Sequence, residues 1–112
     1  MDYQSTRGNE QIVGFEETLL AGLAPDGGLY VPTEWPTVRN EPDKLSALPY
    51  SSNAAYLMEP FVSRDIDTNT LNVITLDAYA EFRHKDVAPL VEIGDGHWIL
   101  ELFHGPTLSF KD

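Results

Sequence analysis

Pro89-Leu90-Val91-Glu92-Ile93-Gly94-Asp95-Gly96-His97-Trp98-Ile99-Leu100-Glu101-Leu102-Phe103 is the stretch that decides the fold class. Two apolar runs, 89–93 and 98–103, flank Gly94-Asp95-Gly96-His97, which is strong hairpin punctuation. The runs are expected to pair antiparallel, with 98–103 as a buried strand. Upstream of the hairpin the apolar pattern changes to a helical period. The chain therefore reads as α+β, with several helices packed on a small mixed or antiparallel sheet.

The clearest helix is the one before the hairpin. Leu71, Ile74, Thr75, Ala78, Tyr79 and Phe82 are successive helical neighbours, and Asp67 or Thr68 can cap the start. This helix is expected to pack on the sheet and to close at Arg83, His84 and Lys85, where positive charge suits exposed carbonyls. Before it, Ala54, Leu57, Met58, Phe61 and Val62 form a second stripe, which Pro60 is expected to kink or end early. A third stripe joins Phe15, Thr18, Leu19 and Leu23, with Glu16 and Glu17 outward, and the helix should end near Ala21. Tyr3 to Thr6 and Leu29 to Val31 read as short strands, Pro32 to Glu41 as irregular, and Pro42 to Leu48 as a short helix. Pro25-Asp26-Gly27-Gly28 stops the first helix. It runs from helix into strand and carries a carboxylate, so it reads as a structural turn rather than a phosphate loop.

Eighteen acidic and seven basic residues among 112 give a formal charge of −11. That balance argues against nucleic acid or an anionic membrane surface as a partner, and any phosphate-bearing ligand would need local positive charge. The length suits one domain with a modest core. The sequence has no cysteine, so it offers neither a disulfide framework nor a thiolate metal site. Polar residues precede the first apolar run and no run reaches membrane-spanning length, so a cytoplasmic location is the expectation. His84, His97 and His104 are spaced by thirteen and seven residues, which matches no usual ligand pattern, and no metal is assigned.

Beyond the hairpin the chain reads Glu101-Leu102-Phe103-His104-Gly105-Pro106-Thr107-Leu108-Ser109-Phe110-Lys111-Asp112. A Gly-Pro break turns the chain, and a lysine then sits between an aromatic and a carboxylate. A helix or strand is expected to follow, to cover Phe110 and fix Lys111, so the chain reads as an N-terminal piece of a larger enzyme. Taken alone, a lysine in this position would be called a surface residue.

The segment Glu101 to Asp112 resembles the motif around the cofactor lysine of the threonine synthase family, pyridoxal-phosphate enzymes of the tryptophan-synthase-β-like fold type. Ser5-Thr6-Arg7-Gly8 and the stretch from Ala21 through Asp26-Gly27-Gly28 to Pro32 resemble the family's opening domain, in the right order. Ser109 stands where the motif usually has alanine. The resemblance implies residues 1–103 as the N-terminal domain and 104–112 as the start of the cofactor-lysine segment. It implies conversion of O-phospho-L-homoserine and water to L-threonine and phosphate, with Lys111 forming a Schiff base with pyridoxal 5'-phosphate and shuttling protons. Phe110 would pack near the cofactor and Asp112 orient its neighbours. Arg7 and His104 are candidates for substrate binding. The family's Ser-Gly-rich phosphate loop follows the lysine and is absent from this sequence, so the missing C-terminal catalytic portion is a required partner and the chain alone is expected to be inactive.

Two questions stay open on the residues themselves. Burial beside Phe110 would favour a neutral Lys111 amine, whereas Asp112 would oppose it if its carboxylate pointed inward. The competing function is a non-catalytic acidic docking or dimerisation module that uses Leu102, Phe103, Leu108 and Phe110. On either reading Phe103 to Asp112 is expected to be mobile or to drive self-association.

Overall fold

The computed structural model describes residues 1–37 and 42–112. Residues 38–41 of the irregular stretch expected over Pro32 to Glu41 lie outside the described residues. In chain order the elements are β1 (Tyr3–Ser5), α1 (Phe15–Ala21), β2 (Tyr30–Pro32), α2 (Pro42–Ser46), α3 (Tyr50–Val62), α4 (Thr68–Ala80), β3 (Leu90–Gly94) and β4 (His97–Leu100). The class is α+β, and the strands form two separate antiparallel pairs. β1 lies against β2 with Tyr3 opposite Pro32 and Ser5 opposite Tyr30. β3 lies against β4 with Leu90 opposite Leu100 and Val91 opposite Ile99.

Asp67 caps α4: its carboxylate accepts from the backbone N–H groups of Asn69 and Thr70 at 2.9 and 3.0 Å, satisfying two donors that the first turn leaves free. The Thr70 hydroxyl, and then the Thr70 N–H, hold that carboxyl below the usual range. Leu71 and Thr75, four residues apart, are the buried face of α4, and Ala55 and Val62 are the buried face of α3. Ala55, Val62 and Leu71 form the core, edged by Phe15, Phe61 and Ile66. The expectation that this helix packs on the sheet is therefore corrected: it packs on α3, because neither two-stranded sheet is wide enough to cover a helix.

α3 runs through Pro60 to Val62 and is not cut short there. Proline so near the C-terminus removes one ladder bond with only two helical residues to follow, and the Ser63 N–H still closes on the Glu59 carbonyl at 3.0 Å. Arg83, His84 and Lys85 do not close α4. The helix ends at Ala80, and the Phe82 N–H turns back to the Tyr79 carbonyl at 3.3 Å, so the basic residues fall in the turn beyond.

β1 is tied into the helices. The Tyr3 hydroxyl donates to the Phe61 carbonyl at 3.0 Å, and its ring lies 6.2 Å from that of Phe15. α1 ends at Ala21 as expected, but its apolar stripe is not buried: Leu19 and Leu23 are exposed. Its N-terminus is capped from a distance. Gly14 has no side chain to offer, and the Asp65 carboxylate, just past α3, accepts from the Glu16 N–H at 3.2 Å. A Cβ at position 14 would lie 2.5 Å from that carboxylate, so the cap requires glycine.

The hairpin departs from expectation in burial and extent. β4 stops at Leu100, short of Phe103, and every residue of β3 and β4 is exposed. Directly opposite residues share a face, so Leu90 and Leu100 lie on one side, Val91 and Ile99 on the other, and no described layer covers either.

Candidate active site

After Leu100 the chain folds into a short closed loop. Gly105 is buried at its base, the Leu108 N–H donates to the Gly105 carbonyl at 3.2 Å, and the Asp112 N–H donates to the Ser109 carbonyl at 3.2 Å. Across the loop, the Asp112 carboxylate accepts from the Thr107 N–H at 3.0 Å and the Thr107 hydroxyl at 2.5 Å. The hydroxyl is the main cause that holds this carboxyl below its usual range. Leu108 has φ of 62°, a left-handed conformation that a branched residue adopts only where its surroundings impose it. Lys111 leaves this loop exposed, with Nζ 4.8 Å from the centroid of the Phe110 ring and no ion-pair partner among the described residues.

His104 stands at the loop's entry. Its Nε2 is 2.7 Å from a Glu101 carboxylate oxygen, and its ring lies 5.0 Å from that of His84. Its carbonyl accepts from the Arg83 N–H at 2.8 Å, which fastens the loop to the turn after α4. Tyr79 and Phe82, with ring centroids 5.2 Å apart, join Leu102, Phe110 and Asp112 around a cleft of about 50 Å³. That volume is far below the ~300 Å³ of a small-molecule site, so these residues do not enclose a ligand-sized cavity.

Arg7 is placed elsewhere. Its guanidinium donates to the Asp26 carbonyl at 3.2 Å, and Ser5 donates to the Asp26 carboxylate at 2.7 Å, which makes 26–28 the structural turn the sequence suggested. No hydrogen bond or ion pair links Arg7 to Lys111 or His104 among the described residues. A cavity of about 580 Å³ at the N-terminus of α1 is lined by Glu16, Glu17 and Asp65 with one cation, Arg64, so its charge is wrong for a phosphate. Among the described residues no group of three His, Cys, Asp or Glu side chains could hold a metal ion. His97 is the first residue of β4, opposite Gly94, rather than a turn residue.

The family model described as threonine synthase N terminus matches residues 2–79. The threonine synthase of Pseudomonas aeruginosa is 47% identical over 113 residues, an alignment that takes in 100% of this chain and 24% of that protein. Threonine synthase-like 2 of Rattus norvegicus is 44% identical, again over 100% of this chain and 24% of the relative. This chain belongs to the threonine synthase N-terminal family. A crystal structure described as PLP-bound threonine synthase from Brucella melitensis superposes with a TM-score of 0.86 at 43% identity, covering 99% of this chain and 24% of that one. The chain thus spans about a quarter of the length of the threonine synthases it matches.

The Brucella melitensis threonine synthase is described as PLP-bound, and PLP carries an aldehyde and a phosphate. A carbonyl-binding site needs a primary amine that is accessible and not engaged by a carboxylate, and among the described residues Lys111 meets both conditions. The phosphate half has no counterpart here, since the wall residues Tyr79, Phe82, Leu102, Phe110 and Asp112 include no cation. Thr107 was not singled out from sequence, and Gly105 was read only as part of the Gly-Pro turn. A threonine five residues before an aspartate, following a glycine, is the local pattern that could have drawn attention to them.

Proposed function

We propose that this chain is the N-terminal portion of a threonine synthase, with 1–103 as its N-terminal domain and 104–112 opening the cofactor-lysine segment. The supporting observation is that the match to the Pseudomonas aeruginosa threonine synthase runs the whole length of the chain, so the Lys111 loop lies inside it. The reaction is conversion of O-phospho-L-homoserine and water to L-threonine and phosphate, in the cytoplasm. Pyridoxal 5'-phosphate, when bound, supplies the electron sink that stabilises a carbanion. Lys111 Nζ would hold the cofactor through its aldehyde and would carry protons to and from substrate carbon during loss of phosphate and addition of water at the β-carbon. Phe110 presents an aromatic face beside that amine, and Asp112 shapes the loop that bears it. His104, already on the loop, and Arg7, exposed beside the Asp26 turn, are the candidate substrate contacts. The rest of the catalytic unit is supplied by sequence that the relatives carry beyond the matched quarter.

The test is phosphate release from O-phosphohomoserine by the full-length protein, with and without pyridoxal phosphate, comparing wild type with Lys111→Ala. Release is expected to require both the cofactor and Lys111. A folded, cofactor-loaded protein that releases no phosphate would mean that the motif reports the shared fold type only, and would turn the test to another amino-acid substrate or to the docking module, which the exposed apolar faces of β3 and β4 also fit.

A further inference from the structure

The carboxylate that sequence places beside the lysine does not face it. Asp112 turns back across five residues and takes two hydrogen bonds from Thr107, at 3.0 Å from the N–H and 2.5 Å from the hydroxyl. Position 105 is shaped for this contact, because a Cβ there would lie 2.4 Å from both Cβ and Oδ2 of Asp112. On the other side of the lysine, the Lys111 N–H donates to the Ser109 hydroxyl at 3.3 Å, and the Asp112 N–H to the Ser109 carbonyl at 3.2 Å. The left-handed backbone at Leu108 is the corner that lets residue 112 reach residue 107. Lys111 is therefore pinned through its backbone on both sides, and its amine lies over the face of Phe110, 4.8 Å away, with no ion-pair partner among the described residues.

We infer that Asp112 and Thr107 form a clasp that positions Lys111: it fixes the direction of the amine and keeps the neighbouring carboxylate from pairing with it. This rests on the proposed role of Lys111. Asp112 and Thr107 are positioning residues, and neither is assigned a contact with cofactor or substrate. Had the carboxylate faced inward, it would hold the amine as an ammonium ion, which cannot attack an aldehyde. A loop without the clasp would lose the pre-set geometry that makes such an attack fast.

The experiment measures how fast Lys111 reacts in the full-length protein, apart from turnover. Cofactor-free protein is mixed with pyridoxal phosphate, Nζ bonds to the aldehyde carbon with loss of water, and borohydride reduction at timed intervals fixes the bond for peptide mapping. Thr107→Val and Asp112→Asn are each expected to slow labelling of Lys111, by up to about a hundredfold, the scale of a misplacement of about 1 Å. Thr107→Ser keeps the hydroxyl and is expected to label at the wild-type rate. Labelling of Lys44 and Lys85, the other two lysines in this sequence, serves as the internal reference and is expected not to change. Wild-type rates at Lys111 in both Thr107→Val and Asp112→Asn would overturn the clasp while leaving the role of Lys111 intact. Absence of preferential labelling at Lys111 in the wild type would overturn the role of Lys111, and the clasp with it. Unchanged unfolding transitions in the variants separate misaiming from loss of fold.

Discussion

Asp112 carries a pH dependence whose sign follows from its environment. Its carboxyl is held below the usual range, chiefly by the Thr107 hydroxyl, so the ionised form is the one the loop stabilises. That stabilisation is fully present above the ordinary carboxyl value of about 3.9 and is lost as the pH falls through the lower folded value. The Thr107 amide resonance is expected to hold steady down to that range and then move, and Asp112→Asn should abolish the movement. A Thr107 amide that titrates at the ordinary value would show that the clasp is not formed in solution. At position 14 the constraint is steric. Gly14→Ala drives a methyl group into the Asp65 carboxylate and is expected to cost about 2 kcal/mol in urea unfolding. Because the clash is with one side chain, Asp65→Ala should relieve part of it, and the double-mutant cycle measures that coupling.

Among the elements, α3 and α4 hold the molecule together, and Leu71 is the residue on which their contact turns. It is 2% exposed and packs with Ala55 and Val62. Leu71→Ala is expected to cost about 3 kcal/mol, read from the denaturation midpoint at constant slope. The β3–β4 hairpin is the opposite case. Two strands with both faces in water are marginal alone. Its amide protons are expected to exchange with solvent much faster than those of α3 and α4, and equal protection would mean that the hairpin is covered in solution. Both helices and the hairpin were legible from spacing and punctuation, since each signal lies within a few residues. Their surroundings were not, and so α4 was expected on the sheet and Trp98 to Phe103 was expected inside.

At the scale of the whole chain, apolar side chains lie outside as well as in. The radius of gyration is 16.6 Å, against roughly 13 Å for a compact domain of this length, and the principal extents are 49 × 28 × 26 Å. Leu102, Phe103, Leu108 and Phe110 are 44 to 71% exposed, close to the exposed hairpin in sequence. The chain on its own is expected to self-associate, with a sedimentation coefficient that rises with concentration, and Phe103→Ser combined with Phe110→Ser should shift it toward monomer. A concentration-independent monomer would argue that these side chains are covered by the chain itself. Among the described residues no helix is long and apolar enough to cross a membrane.

Sequence alone determined the α+β class, the places of α3, α4 and the hairpin, a cap at Asp67 or Thr68 and the singling out of Lys111. These rest on neighbours in the chain: helical period, a cap two or three residues from its donors, glycine at a turn, and a short motif. Only the tertiary structure decided which faces are buried, that Asp65 caps α1 from 49 residues away, and that His104 meets His84. It also decided the direction of Asp112, which the residues left open between the lysine and elsewhere. A carboxylate goes to whichever donors the backbone brings within reach, and here the corner at Leu108 and the bare Cα of Gly105 bring it to Thr107.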